Sequence, residues 1–111
     1  MNNLDKLIKA ISEKKVIEFE YNKTGKIQGK RIGHPYAVFI YTSKDDIKST
    51  KVHLVQTDGV SDSKEKNPFP EFRMFNIEEL SNIEIKDETF TDLNEKYNPE
   101  WEGYQDVIEK V

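Results

Sequence analysis

No cysteine occurs among the 111 residues, so the chain has no disulfide framework, no thiolate metal ligand and no cysteine nucleophile. No apolar run approaches the roughly 18 residues of a membrane span. Acidic and basic side chains interrupt the apolar positions from Met1 to Lys15, so a signal peptide is not expected either, and the compartment indicated is the cytoplasm. Catalytic signatures are missing too. No Gly-rich phosphate loop precedes a helix, and neither a Gly-x-Ser-x-Gly elbow nor a His-Glu-x-x-His pair is present. The two histidines, His34 and His53, have no carboxylates at a ligand spacing and make no metal set. Asp45-Asp46 and Glu78-Glu79 fall in turns, where adjacent carboxylates face water. The expectation is a protein without catalytic residues, cofactor or metal.

What the chain does have is charge and aromatic rings: 34% charged and 11% aromatic residues against 35% hydrophobic. That is enough for one modest core at a length typical of a single domain. The net charge of −4 is unevenly spread. Residues 1–75 hold 14 Lys/Arg against 10 Asp/Glu, whereas residues 76–111 hold 3 against 11. This fits either a basic body with an acidic tail or a solvated surface that happens to be acidic toward its end.

Periodicity divides the chain. Leu4, Leu7, Ile8 and Ile11 form one helical stripe, with Asn3 as N-cap and Lys14 and Lys15 closing the last turn, which predicts a helix over 3–14. Period-two alternation follows in Val16–Tyr21, and Asn22–Gly25 is a turn. A second strand spans Lys26–Thr42, bent around Gly29, Gly33 and Pro35 as at a barrel corner. Ser43–Asp46 makes a hairpin, Thr50–Thr57 a third strand, and Asp58–Pro70 a long mobile loop. Phe72–Ile77 is the fourth strand, a single helical turn follows at Glu78–Leu80, and Asn82–Lys86 is the fifth strand. In the acidic extension 91–111, Tyr104, Val107, Ile108 and Val111 repeat the helical spacing. They predict a short terminal helix, either packed back as a lid or carrying Tyr97, Trp101 and Tyr104 to a protein partner. The fold class expected is α+β, mainly β: a five-stranded Sm-like small β-barrel over 1–90, with an N-terminal helix and a C-terminal helix or lid.

Three ordered segments resemble the WYL-domain family. They are Leu7–Ile11 with Lys14–Asn22, then Gly29–Val38 (Gly-Lys-Arg-Ile-Gly-His-Pro-Tyr-Ala-Val), and Phe72–Ile83 followed by Phe90. The signature Trp-Tyr-Leu triplet falls on Val52-His53-Leu54, so only its leucine is kept, and Glu79 stands where the family has an arginine. Members commonly follow a helix-turn-helix segment, which the residues before Leu4 do not supply. The resemblance implies a non-enzymatic sensor or regulatory module; transcription regulation belongs to the family's helix-turn-helix-linked members and is not implied for this chain alone. Its polar surface on the second, third and fourth strands would bind single-stranded nucleic acid or a nucleotide-like anion, and a homodimer is implied as well.

Carried over by position, Arg31, Arg73 and His53 are the binding residues, with Lys30, His34 and Tyr36 extending the patch. Arg31 and Arg73 are the only arginines, and their planar forks suit bidentate phosphate or base contacts that lysine cannot make. Surface salt bridges to Glu18, Glu20 or Glu71 are the alternative for both. Tyr21, Tyr36 and Phe75 are candidates for stacking on bases, Phe75 being the one suited to the core. Overall acidity disfavours broad duplex binding, which rests on release of many counterions. A protein-interaction or accessory and inhibitor role through the acidic aromatic tail is the competing expectation.

Overall fold

The computed structural model describes residues 1–61, 68–91 and 93–111. Helix α1 spans Asn3–Ser12. The strands are β1 (Lys15–Tyr21), β2 (Lys30–Thr42), β3 (Lys48–Gly59), β4 (Glu71–Asn76), β5 (Leu80–Thr89) and β6 (Asp106–Lys110), with 3-10 turns at Ile77–Glu79 and Glu102–Tyr104. The N-cap of α1 is Asn2, one residue before the expected Asn3; its side-chain oxygen accepts from the Asp5 amide at 2.8 Å. Asn3 instead sends its side-chain amide to the Leu80 carbonyl, 2.8 Å away, and so ties the helix to the start of β5.

The sheet is antiparallel with the order β4-β3-β2-β1-β5, and β6 also pairs with β2. The expected closed five-stranded barrel is corrected on two points. The sheet has six strands, and among the described residues no ladder joins β4 to β5. The Ile77–Glu79 turn carries β4 directly into β5, and Leu7 and Ala10 of α1 pack into the same core as Leu80 and Ile83. The expected loop at 58–70 begins later, because β3 continues to Gly59; residues 62–67 lie outside the described residues.

The bend expected in β2 takes a definite form. The β2–β3 register shifts between Pro35 and Ala37, so Tyr36 is the extra residue of a bulge, beside a proline that has no N–H to give a ladder. The bulge reverses the side-chain phase. Ile32 and Tyr36 before it, and Ala37 and Phe39 after it, therefore all lie on the face away from α1. It also divides one edge of β2 between two partners: Lys30–Gly33 pair with β1, and Ala37–Ile40 pair with β6.

The predicted C-terminal helix is therefore a strand. So short a helix is marginal in water, Val107, Ile108 and Val111 are β-branched, and the edge of β2 beyond Pro35 offers peptide groups that need partners. Tertiary pairing overrides the helical spacing.

The two sheet faces carry separate cores. On the α1 side, Leu7, Ala10, Ile17, Phe19, Tyr21, Val52, Leu54, Phe75, Leu80 and Ile83 pack together. Phe75 meets Tyr21 edge-on at 4.6 Å. The outer side is covered by a C-terminal strap, residues 93–111, whose Tyr97, Trp101 and Tyr104 lie on Tyr36 and Phe39. As a result β3 is buried on both faces from Val52 to Gln56.

Candidate ligand groove

The six residues expected to form one patch fall into three settings. Arg31 is fully buried. Its guanidinium lies 5.3 Å from the Tyr21 ring and 6.0 Å from Phe75, and its terminal nitrogens donate to Gln56 Oε1 (3.4 Å) and to the Ile27 carbonyl (3.2 Å). Gln56, also buried, is oriented by its own amide, which donates to the carbonyls of Asp58 and Val60. Gly59 closes this corner, since a Cβ there would lie 2.2 Å from the Lys30 carbonyl oxygen.

Arg73 meets the same Phe75 ring at 5.0 Å, and its Nη1 is 3.5 Å from a carboxylate oxygen of Glu71. The two guanidinium groups thus converge on one ring on the α1 side. The expected solvent-facing arginine pair is corrected, because Arg31 is engaged within the protein, fastening β2 to β3. Its phase along β2 points it at the inner core, and the aromatic and amide partners there offset the cost of burying its charge.

His53 lies on the opposite face, as its alternation with Val52 and Leu54 requires, but it is covered. Phe39, Phe72, Trp101 and Tyr104 surround its ring at 4.8, 4.9, 5.3 and 5.4 Å. Its Nδ1 is hydrogen-bonded to the Tyr104 hydroxyl. Burial pushes the imidazole pKa down to about 4 and the Tyr104 phenol up, so both are neutral at pH 7. The expectation of His53 as a ligand-facing group is corrected: it is a buried anchor for the strap. Tyr97, Trp101 and Tyr104 are engaged with the sheet and are not presented as a free docking tail.

Lys30, His34 and Tyr36 form the third setting. Lys30 is 74% exposed at its side chain, 3.8 Å from Glu18 across an ion pair of little strength. His34 stacks nearly parallel on Phe90, at 4.7 Å and 3°. Burial lowers its pKa, and the Glu88 charge opposes that shift. The Tyr36 hydroxyl accepts from the Asn94 amide at 2.8 Å.

His34 and Tyr36 line a groove of about 440 Å³ with Val55 and Thr57 of β3, Phe69 and Pro70 just before β4, and Leu93 and Asn94 of the strap. The size lies within the range of small-molecule sites, roughly 300–1,000 Å³. A depression of about 450 Å³ between Ile40, Lys48–Thr50, Ile77 and Glu78 gathers none of the expected residues. Leu93 is 47% exposed at the groove wall, an apolar side chain that a ligand would cover. Among the described residues lining the groove none is cationic; Arg31 of β2 points into the inner core, and the nearest β2 cation in phase with His34 is Lys30. It stands four residues from His34, about 13 Å at strand rise. No family model, curated protein or solved structure matches this chain.

Thr57 could have been foreseen, because period two puts it on the same side as His53 and Val55. Leu93 and Asn94 could not: nothing local marks a leucine in an acidic segment as the wall of a site some sixty residues away from His34. Among the described residues no group of three or more His, Asp or Glu side chains is arranged to hold a metal, and no helix is long and apolar enough to cross a membrane.

The groove is lined by aromatic and apolar side chains, with polar groups from Thr57 and Asn94. Those are the requirements for holding a planar heteroaromatic ring by stacking and edge hydrogen bonds.

Proposed function

We propose that this chain is a non-enzymatic binding module that takes the base of a nucleotide, or of a single-stranded nucleic acid, into the His34–Tyr36 groove. The observation that carries this reading is the convergence of His34 and Tyr36 with Thr57, Leu93 and Asn94 around one open volume. The resemblance to WYL domains supports the same direction, since it implies a ligand surface on the second to fourth strands. In this reading the anion contact is Lys30, on the groove side of β2, and the two arginines serve stability. The module acts as a cytoplasmic sensor whose occupied state is read by a partner.

Calorimetric titration of adenosine, adenosine monophosphate and a short oligothymidylate, at two salt concentrations, tests it. Stacking on an aromatic side chain contributes about 1–3 kcal/mol per base, so His34→Ala should weaken every binding probe roughly fivefold or more. Lys30→Ala should weaken only the phosphate-bearing probes and flatten their salt dependence. Arg73→Ala should bind like the parent. If no probe binds, or if Arg73→Ala abolishes binding while His34→Ala leaves it intact, the groove is not the site.

A further inference from the structure

Tyr36 belongs to the groove and to the strap at once. Its hydroxyl accepts from the Asn94 amide, its ring meets the Tyr97 ring at 5.0 Å, and its backbone carbonyl accepts from the Val111 amide at 2.8 Å. Tyr97 completes the circuit by donating its hydroxyl to the Val111 carbonyl at 2.9 Å. Beyond Tyr36, the next residues of β2, Ala37–Ile40, are those that pair with β6. Leu93 and Asn94, which line the groove, are the first part of the strap, and the strap's last residue, Val111, is fastened to Tyr36, another lining residue.

From this circuit we infer that ligand binding in the groove and seating of the C-terminal strap on β2 are thermodynamically coupled. The groove is complete only while β6 is paired. A ligand packed between the partly exposed His34 and Leu93 holds the strap down, and an unpaired strap removes the wall the ligand needs. Coupling of this kind is reciprocal, so each event must bias the other by the same factor. The strap is then the element through which occupancy becomes visible to a partner. β6 is a short strand held on one side of β2, with Val107 and Ile108 37% and 38% exposed, which suits an element of low local stability.

The inference rests on the groove being a ligand site, and the test separates the two. Hydrogen exchange of the full chain is followed by mass spectrometry with and without adenosine monophosphate, alongside a calorimetric titration of the same nucleotide. Binding that requires the seated strap slows exchange in 106–111 by a factor that follows occupancy, about a hundredfold at a concentration one hundred times Kd. Exchange in β5 should not follow occupancy in the same way. In the variant Val107→Pro, which denies β6 its ladder, affinity should fall by the fraction of molecules left with a seated strap, tenfold or more. Calorimetric binding with exchange in 106–111 unchanged, or Val107→Pro binding like the parent, overturns the coupling and leaves the groove assignment standing. If none of the three probes binds the parent, the groove assignment fails and the coupling with it; if only adenosine or the oligothymidylate binds, the exchange comparison is made with that probe.

Discussion

His53 carries a pH dependence whose size follows from its surroundings. In the unfolded chain an imidazole titrates near 6.5; enclosed by Phe39, Phe72, Trp101 and Tyr104 it titrates at about 4. Between those values the unfolded state binds a proton that the folded state refuses. Unfolding is therefore favoured as pH falls, and the contribution of His53 is fully present above 6.5 and lost progressively toward 4. Each unit of difference corresponds to about 1.4 kcal/mol, so the total is about 3 kcal/mol, a large share of a small domain's stability. His34 is also shifted downward by burial and adds to the same slope. The informative comparison is therefore with His53→Gln, whose amide can still reach the Tyr104 hydroxyl but does not titrate. Urea unfolding at several pH values from 7.5 to 4.5, followed by far-ultraviolet circular dichroism and by fluorescence of Trp101, the single tryptophan, gives both curves. The parent should lose stability more steeply than the variant below pH 6.5, and the strap residues should loosen first. Parallel curves, or a His53 ring that titrates near 6.5 in the folded protein by NMR, would refute the reasoning.

Other substitutions bear on the inner corner. Arg31→Ala removes a fully buried side chain and its bonds to Gln56 and Ile27, so unfolding free energy should drop by about 3–4 kcal/mol in urea titrations; Arg31→Lys, without the planar fork, should recover little of it. Arg73→Ala should cost about 1 kcal/mol or less by the same assay, being a partly exposed pair with Glu71. Gly59→Ala forces a side chain into φ +95° with Cβ against the Lys30 carbonyl, and a loss of about 2–3 kcal/mol, read as a lowered Tm, is expected.

The parts of the fold that local pattern controls were legible. The Leu4–Ile11 stripe, the alternation in Val16–Tyr21 and the turn at Gly25 each act within a few residues, and each corresponds to an element where it was expected. The bend in β2 was also legible from Gly33 and Pro35, because a proline cannot donate to the ladder of a central strand and is accommodated there at a bulge. What could not be read was where a segment finds its partner. The spacing of Tyr104, Val107, Ile108 and Val111 fits a helix as well as a strand, and only the open edge of β2 decides between them. Arg31 shows the same limit. Its residue type suits phosphate, but its phase on β2 turns it toward Tyr21 and Phe75. The sequence contained that phase, yet which side of the strand would face α1 depended on packing across the whole sheet. His34 and Tyr36 share the groove side by plain period-two alternation, whereas Ala37 and Phe39 reach that same face only because one extra residue reverses the phase after Pro35.

The double covering of β3 has one more consequence. A strand with one wet side can slip by one residue at a partial cost, but Val52–Gln56 has no wet side. Its two polar members, His53 and Gln56, point in opposite directions, one toward Tyr104 and the other toward Arg31. A shift by one place would drive the imidazole into the aliphatic layer beneath the helix and turn the amide away from the guanidinium it serves. These two side chains thus work as a lock with two wards, admitting one alignment of the central strand and rejecting its neighbours.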